Sequence, residues 1–114
     1  MLPKKHRLSK TAEVSKTTAK GRAFFSQSFL IKYLISKEID SPLVTVIVSN
    51  KISKSAVIRN KLKRAIRSTF QEMLPKLKPA QYAVIVKKGA ISKSVVELKE
   101  ETLSALQKGK MINI

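Results

Sequence analysis

The stretch Ser49-Asn-Lys-Ile-Ser-Lys-Ser-Ala-Val-Ile-Arg-Asn-Lys-Leu-Lys-Arg-Ala-Ile-Arg67 decides how the chain is read. It holds seven basic residues, Lys51, Lys54, Arg59, Lys61, Lys63, Arg64 and Arg67, and no acid. From Ile58 onward the apolar positions Leu62, Ala65, Ile66, Thr69, Phe70 and Met73 recur at helical spacing, which predicts a helix over about 54–74. At about 100° per residue these side chains fill an arc of roughly 100°. Asn60, Lys63, Arg64 and Arg67 fall on the opposite side, with Arg59 and Lys61 at its borders. Pro75 and Pro79 stop the helix. A basic helix face is most often a solvated surface. Here no acid is present to lace it into i, i+4 ion pairs, and arginine, whose planar fork suits phosphate, takes three of the helical positions. Asn60 adds a group that can hydrogen-bond a base or a 2′-hydroxyl, although a lone exposed Asn is commonly just that.

Strands flank this helix. Residues 43–48, Leu-Val-Thr-Val-Ile-Val, and 81–87, Gln-Tyr-Ala-Val-Ile-Val-Lys, are β-branched and almost continuously apolar, as central strands covered on both faces are. If they pair in parallel, the general rule for strand–helix–strand units is a right-handed crossover. Upstream, Arg22–Phe25 and 28–35 read as strands around a Ser26-Gln27 bend, and residues 36–42 as a turn closed by Asp40-Ser-Pro. Residues 9–19 read as a first helix ended by Gly21, with Ser9 as N-cap. After a turn at Lys87-Lys-Gly-Ala, a last helix over about 94–107 is capped by Ser92 or Ser94. It packs Val95, Leu98, Leu103 and Leu106 inward, with Val96 a further candidate. Its Glu97, Glu100 and Glu101 suit the first half of the helix and turn it away from a polyanion. The expected architecture is one α/β domain over residues 1–114, of order αβββαβα, with a basic arm at 1–8, a tail at 108–114 and a mixed sheet packed with helices.

Charge narrows the partner. There are 24 Lys+Arg against seven Asp+Glu, a net charge of +17, and 43% hydrophobic residues. That is a globular proportion, so the charge belongs to a folded surface whose self-repulsion a polyanion would relieve. Nucleic acid comes first and an anionic membrane surface second. The apolar side of helix 54–74 is needed for the core, which argues against the membrane. No apolar run approaches the ~20 residues that span a bilayer, and the N-terminus lacks the apolar core of a signal peptide, so a cytoplasmic protein is expected.

Protein-borne catalysis finds little support. There is no cysteine, one histidine (His6, in the arm) and one aspartate (Asp40, in a turn). No nucleophile elbow or Walker-type loop is present, and Glu13, Glu38 and Glu72 are scattered among lysines as surface charges. A metal site held by the protein is not expected.

Ser-Ala-Val-Ile-Arg-Asn-Lys-Leu-Lys-Arg-Ala-Ile-Arg closely resembles the signature helix of the bacterial ribonuclease P protein component, approximately A-V-x-R-N-R-x-K-R-x-x-R. Ala56, Val57, Arg59, Asn60, Lys63, Arg64 and Arg67 match it, and Lys61 stands at the central arginine. Val48-Ser-Asn-Lys-Ile is similar to the family's V-S-K-K-I/V strand end, and Leu2-Pro-Lys-Lys-His-Arg-Leu8 to its L-P-K-x-x-R-L opening. The resemblance implies an α/β sandwich like that of a small-subunit ribosomal-protein domain, with a left-handed crossover in place of the general rule. It also implies a protein subunit that binds a catalytic RNA and the 5′ leader of precursor tRNA. Mg²⁺ is then bound by the RNA, which performs the cleavage, and neither DNA nor membrane is a partner. RNA-facing roles pass by match to Arg59, Asn60, Lys61, Lys63, Arg64 and Arg67, with Lys51 and Lys54 in the adjoining loop.

The family's first helix is D-F-x-x-V-F-like and offers aromatics to the leader. Here the corresponding positions are Glu13, Val14, Thr17 and Thr18. Leader contacts are therefore expected from Val14, Thr18, Lys32 and Tyr33. Among Phe24, Phe25, Phe29, Tyr33 and Tyr82, most are expected in the core, and Tyr33 is the first choice for an exposed base-stacking ring. A ribosomal or other structural RNA-binding protein fits charge and size equally well; the signature helix separates the two.

Overall fold

In the computed structural model, which describes residues 22–35, 41–109 and 111, four strands form one mixed sheet with two helices on one of its faces. The strands are β1 (Arg22–Phe25), β2 (Phe29–Leu34), β3 (Leu43–Ile47) and β4 (Gln81–Val86). Their order across the sheet is β1-β2-β4-β3. β1 and β2 are antiparallel, as are β2 and β4, whereas β3 and β4 run parallel. The helices are α1 (Ala56–Met73), which makes the crossover between β3 and β4, and α2 (Val95–Lys108). The first helix expected at residues 9–19, the basic arm, the turn at 36–40 and most of the tail lie outside the described residues.

Strand pleating divides the side chains between the two faces. Phe29, Ile31, Val44, Val46, Tyr82, Val84 and Val86 share the helix-covered face and are buried. Leu30, Lys32, Thr45, Ile47 and Ile85 share the other face and are half-buried. β4 is central, and of its six residues only Ile85 is not buried. This accounts for the unbroken apolar run that marked it in the sequence.

Helix α1 starts two residues later than its periodicity suggests, because Ser55 takes the N-cap and its hydroxyl accepts from the Ile58 amide. Leu62, Ala65, Ile66, Thr69 and Phe70 are buried, against β3 and α2 among other elements. Ile58 and Met73, at the ends of the stripe, run past the core: Ile58 is exposed and Met73 half-buried. Thr69 is tolerated there because its hydroxyl donates to the Ala65 carbonyl at 3.1 Å. The Phe70 ring lies 6.1 Å from that of Tyr82, tilted by 52°. The Tyr82 hydroxyl donates to the Lys78 carbonyl at 2.6 Å; burial first, and the neighbouring Tyr33 second, push its pKa upward.

In α2 the cap is Ser94, closed by a capping box with Glu97. Leu98, Thr102, Ala105 and Leu106 form the buried stripe and Leu103 is half-buried. Val95, expected inward, is exposed together with Val96; it borders the open grooves beside α1, and the buried stripe of α2 begins at Leu98. At the other end, Gly109 lies so close to Phe24 that a Cβ there would stand 2.6 Å from the ring.

Candidate nucleic-acid interface

The basic residues of α1 line two open grooves. Asn60, Lys63, Arg64, Arg67 and Ser68 bound one of about 600 Å³. Val57, Asn60, Lys61, Arg64, Ala65, Ser68 and Val95 bound a second of about 540 Å³. Asn60, Arg64 and Ser68, at i, i+4 and i+8, are common to both and form the ridge between them. Both grooves thus carry cations, Lys63 and Arg67 on the first and Lys61 on the second, and Val57 and Val95 give the second an apolar side. Ser68 was not singled out in the sequence; its place one turn after Arg64 was the available signal.

Arg59 behaves differently from its neighbours. Its guanidinium turns back and donates to the Ser53 carbonyl at 2.8 Å, tying the loop that carries Lys51 and Lys54 to the first turn of α1. Both lysines are exposed. Within the helix Asn60, Lys61 and Arg64 are exposed, whereas Lys63 and Arg67 are half-buried, with their stems against the protein.

Of the four residues expected to contact the leader, the two that are described, Lys32 and Tyr33, lie on opposite faces of the sheet. Lys32 lies on the face of the sheet opposite α1 and α2. Tyr33, the next residue, lies on the helix-covered face, half-buried, with its ring 5.4 Å from Phe24. Adjacent strand residues must face opposite ways, so Tyr33 is no exposed stacking ring on the Lys32 face. Val14 and Thr18 lie outside the described residues. Phe29 and Tyr82 are fully buried. The exposed ring is that of Phe25, at 72%. Its signal was the Phe24-Phe25 pair in a short strand, which has to place one ring on each face.

The described acids are largely committed within the fold. Glu72 pairs with Lys99 at 2.6 Å, a half-exposed contact of small energetic weight. Glu97 closes the capping box, and its carboxyl is held low by the Ser94 backbone amide first and the Ser94 hydroxyl second. Glu101 accepts from the Ser26 hydroxyl, and from the amide and hydroxyl of Ser28 at 2.8 Å each, so it clamps the β1–β2 turn onto α2. Its partial burial alone would raise the carboxyl pKa. The three hydrogen bonds and the charge of Lys93 outweigh that, and the pKa falls below its ordinary value of 4.5.

A carboxyl lowered in the folded state adds stability above its unfolded pKa, and that stability is lost as pH falls through the folded value. Glu101→Gln is therefore expected to cost about 1–3 kcal/mol at neutral pH. It should also flatten the loss of stability below pH 4.5. Urea denaturation across a pH series checks this; a variant whose acid limb parallels the wild type would show that the clamp carries no charge-dependent stability.

Among the described residues no group of three or more His, Cys, Asp or Glu is placed to hold a metal ion, and no helix is long and apolar enough to cross a membrane. A mixed sheet, a long acid-free helix face and grooves lined by its cations define a small α/β polyanion-binding domain. The family pattern for ribonuclease P matches residues 2–110. The chain belongs to the ribonuclease P protein family. Over 114 residues it is 32% identical to the ribonuclease P protein component of a Pseudanabaena species, covering 99% of this chain and 98% of the relative. The Listeria innocua component is 30% identical over 112 residues, covering 97% and 93%. The structure of the Staphylococcus aureus RNase P protein superposes with a TM-score of 0.88 at 28% identity, covering 95% of this chain and 98% of that one. The Thermotoga maritima RNase P protein shares the fold, with a TM-score of 0.79 at 21% identity over 90% and 96% of the two chains.

Proposed function

We propose that this chain is the protein subunit of a ribonuclease P. In this reading it docks on a catalytic RNA through the basic face of α1, holds the single-stranded 5′ leader of precursor tRNA, and so assists removal of that leader. The observation that carries the proposal is the pair of grooves sharing Asn60, Arg64 and Ser68, on a helix with no acid until Glu72. Such a surface neutralises phosphates with little sequence preference, which suits a subunit whose RNA partner supplies the chemistry. The protein's part is positioning and charge. Mg²⁺ belongs to the RNA subunit, and Glu97 and Glu101 of α2 serve the fold.

The test is cleavage of a precursor tRNA by the RNA subunit alone, by the protein alone, and by both together at low Mg²⁺. The expected result is cleavage by the RNA subunit, accelerated by the protein, and none by the protein alone. Metal-dependent cutting at the mature 5′ end by nuclease-free protein without RNA would overturn the division of labour. Failure of the protein to accelerate the RNA subunit at any Mg²⁺ concentration would overturn the assignment.

A further inference from the structure

Seven large apolar side chains are exposed among the described residues, and five of them belong to one place, where the start of α2 lies beside the first turns of α1. Val57 and Ile58 come from α1, Val95 and Val96 from α2, and Ile91 from the loop that leads into α2. Exposed aliphatic residues scattered singly are ordinary. These border a slot of about 110 Å³ between the two helices, walled by Ile58, Ile91 and Val95 and floored by the buried Leu62 and Leu98. Lys61 and Lys93 stand on its rim.

The backbone around the slot is tied down. Ser55 caps α1, and Ser94 with Glu97 closes the capping box of α2. In the loop between, the Ile91 amide donates to the Lys88 carbonyl and the Lys93 amide to the Ala90 carbonyl, each at 3.1 Å. A partner entering here meets a formed site and does not have to order it.

Size and charge select the occupant. An apolar cavity of about 150 Å³ takes a benzene ring, so the smaller slot suits one branched aliphatic side chain and not a nucleobase with its sugar. The lysines mark one side of the patch. On the other side, exposed carboxylates accompany Val96: Glu97 follows it, and Glu100 lies one turn further on the same side of α2. A phosphate backbone or an anionic bilayer laid across the valines would meet those carboxylates. A second copy of a chain with net charge +17 would bring its own cations against Lys61 and Lys93. A polypeptide can fill the slot with an aliphatic side chain and set carboxylates against the two lysines.

We propose that this slot docks a second, different protein through an acidic amphipathic helix, whose apolar side chains at i and i+3 or i+4 enter between α1 and α2. The partner would border the RNA grooves without filling them, since Ile58, Ile91 and Lys93 line neither.

The test titrates the isotope-labelled full chain with a helical peptide of about 16 residues, carrying leucines at i, i+3, i+4 and i+7 and glutamates at the flanking positions. A scrambled peptide of the same composition keeps the charge and breaks the apolar side. Saturable binding is expected, with amide shifts centred on Ile58, Ile91 and residues 93–98. The scrambled peptide should bind about tenfold to a hundredfold more weakly, the loss of one buried aliphatic anchor. Ile91→Ser combined with Val96→Ser should weaken the ordered peptide about tenfold and leave the melting midpoint and assembly with the RNA subunit unchanged. Lys93→Glu should weaken it about twofold to fivefold, and replacing the peptide's glutamates by lysine should reverse that preference. Equal binding of the two peptides, or shifts confined to the basic side of α1, would overturn the proposal, because charge alone would then account for binding. Loss of RNA-subunit assembly in the serine double variant would overturn it in favour of RNA. Self-association or flotation with anionic vesicles that the wild type shows and the double variant loses would overturn it in favour of a second copy or a bilayer.

Discussion

Phe70→Ala is expected to cost about 3–5 kcal/mol of folding stability. The side chain is fully buried on the inner stripe of α1 and faces the Tyr82 ring at 6.1 Å. Removing it deletes the transfer energy of an aromatic ring and leaves a cavity between α1 and β4. Neither can collapse readily, because Tyr82 is tied by its hydroxyl to Lys78 and β4 is paired on both sides. Domains of this size have about 5–15 kcal/mol in all, so the variant should lie close to unfolding. Leu62→Ala, earlier on the same stripe, should cost about 2–5 kcal/mol. Denaturant midpoints read both, with the slope of the transition unchanged. A loss below about 1 kcal/mol for Phe70→Ala would mean that α1 does not lean on β4 as described.

Removing two cations from the other side of that helix should leave the fold and weaken the complex. With six to eight phosphates contacted, the log–log dependence of RNA affinity on salt should have a slope of roughly −4 to −7. The double change Arg64→Ala and Arg67→Ala is expected to reduce that slope by about 1.5 and to lower affinity roughly 10- to 100-fold at moderate salt. Arg64 is exposed, and Arg67 is half-buried along its stem, so the stability loss should stay within about 0.5–1 kcal/mol. Binding isotherms over a salt series, set beside thermal melts, separate the two effects. An unchanged slope would remove these arginines from the phosphate-binding surface.

The contrast between Phe70 and Arg64 was legible in the sequence because a helix converts spacing into sides. The same holds for β3 and β4, whose β-branched runs announced strands covered on both faces. Three placements were not legible, each because it depends on residues distant along the chain. Val95 fits the apolar spacing of α2, yet the buried stripe begins only at Leu98. Tyr33 is as apolar as a stacking ring should be, but its side of the sheet is set by pairing with β1 and β4. Glu101 looks like one more surface acid of α2, and its partners are Ser26 and Ser28, more than seventy residues earlier. The outward ring of Phe25 was available in principle from strand alternation. Which of the two adjacent phenylalanines faces out depends on the register with β2.

The strand order also bears on how the chain can be made. β4 lies between β2 and β3, yet of the described strands it is the last to be synthesised. Until residues 81–86 have been added, β2 and β3 share no edge, and the apolar stripe of α1 has no Tyr82 to close on. Leu43 must wait for Gln81 to pair at all, a contact of long sequence separation of the sort that slows folding. Of the described elements, a nascent chain shorter than this holds a hairpin, a lone strand and a cationic helix without the central strand that joins them. The RNA-binding surface thus becomes rigid only when synthesis is nearly finished, and truncated products carry its charge without its shape.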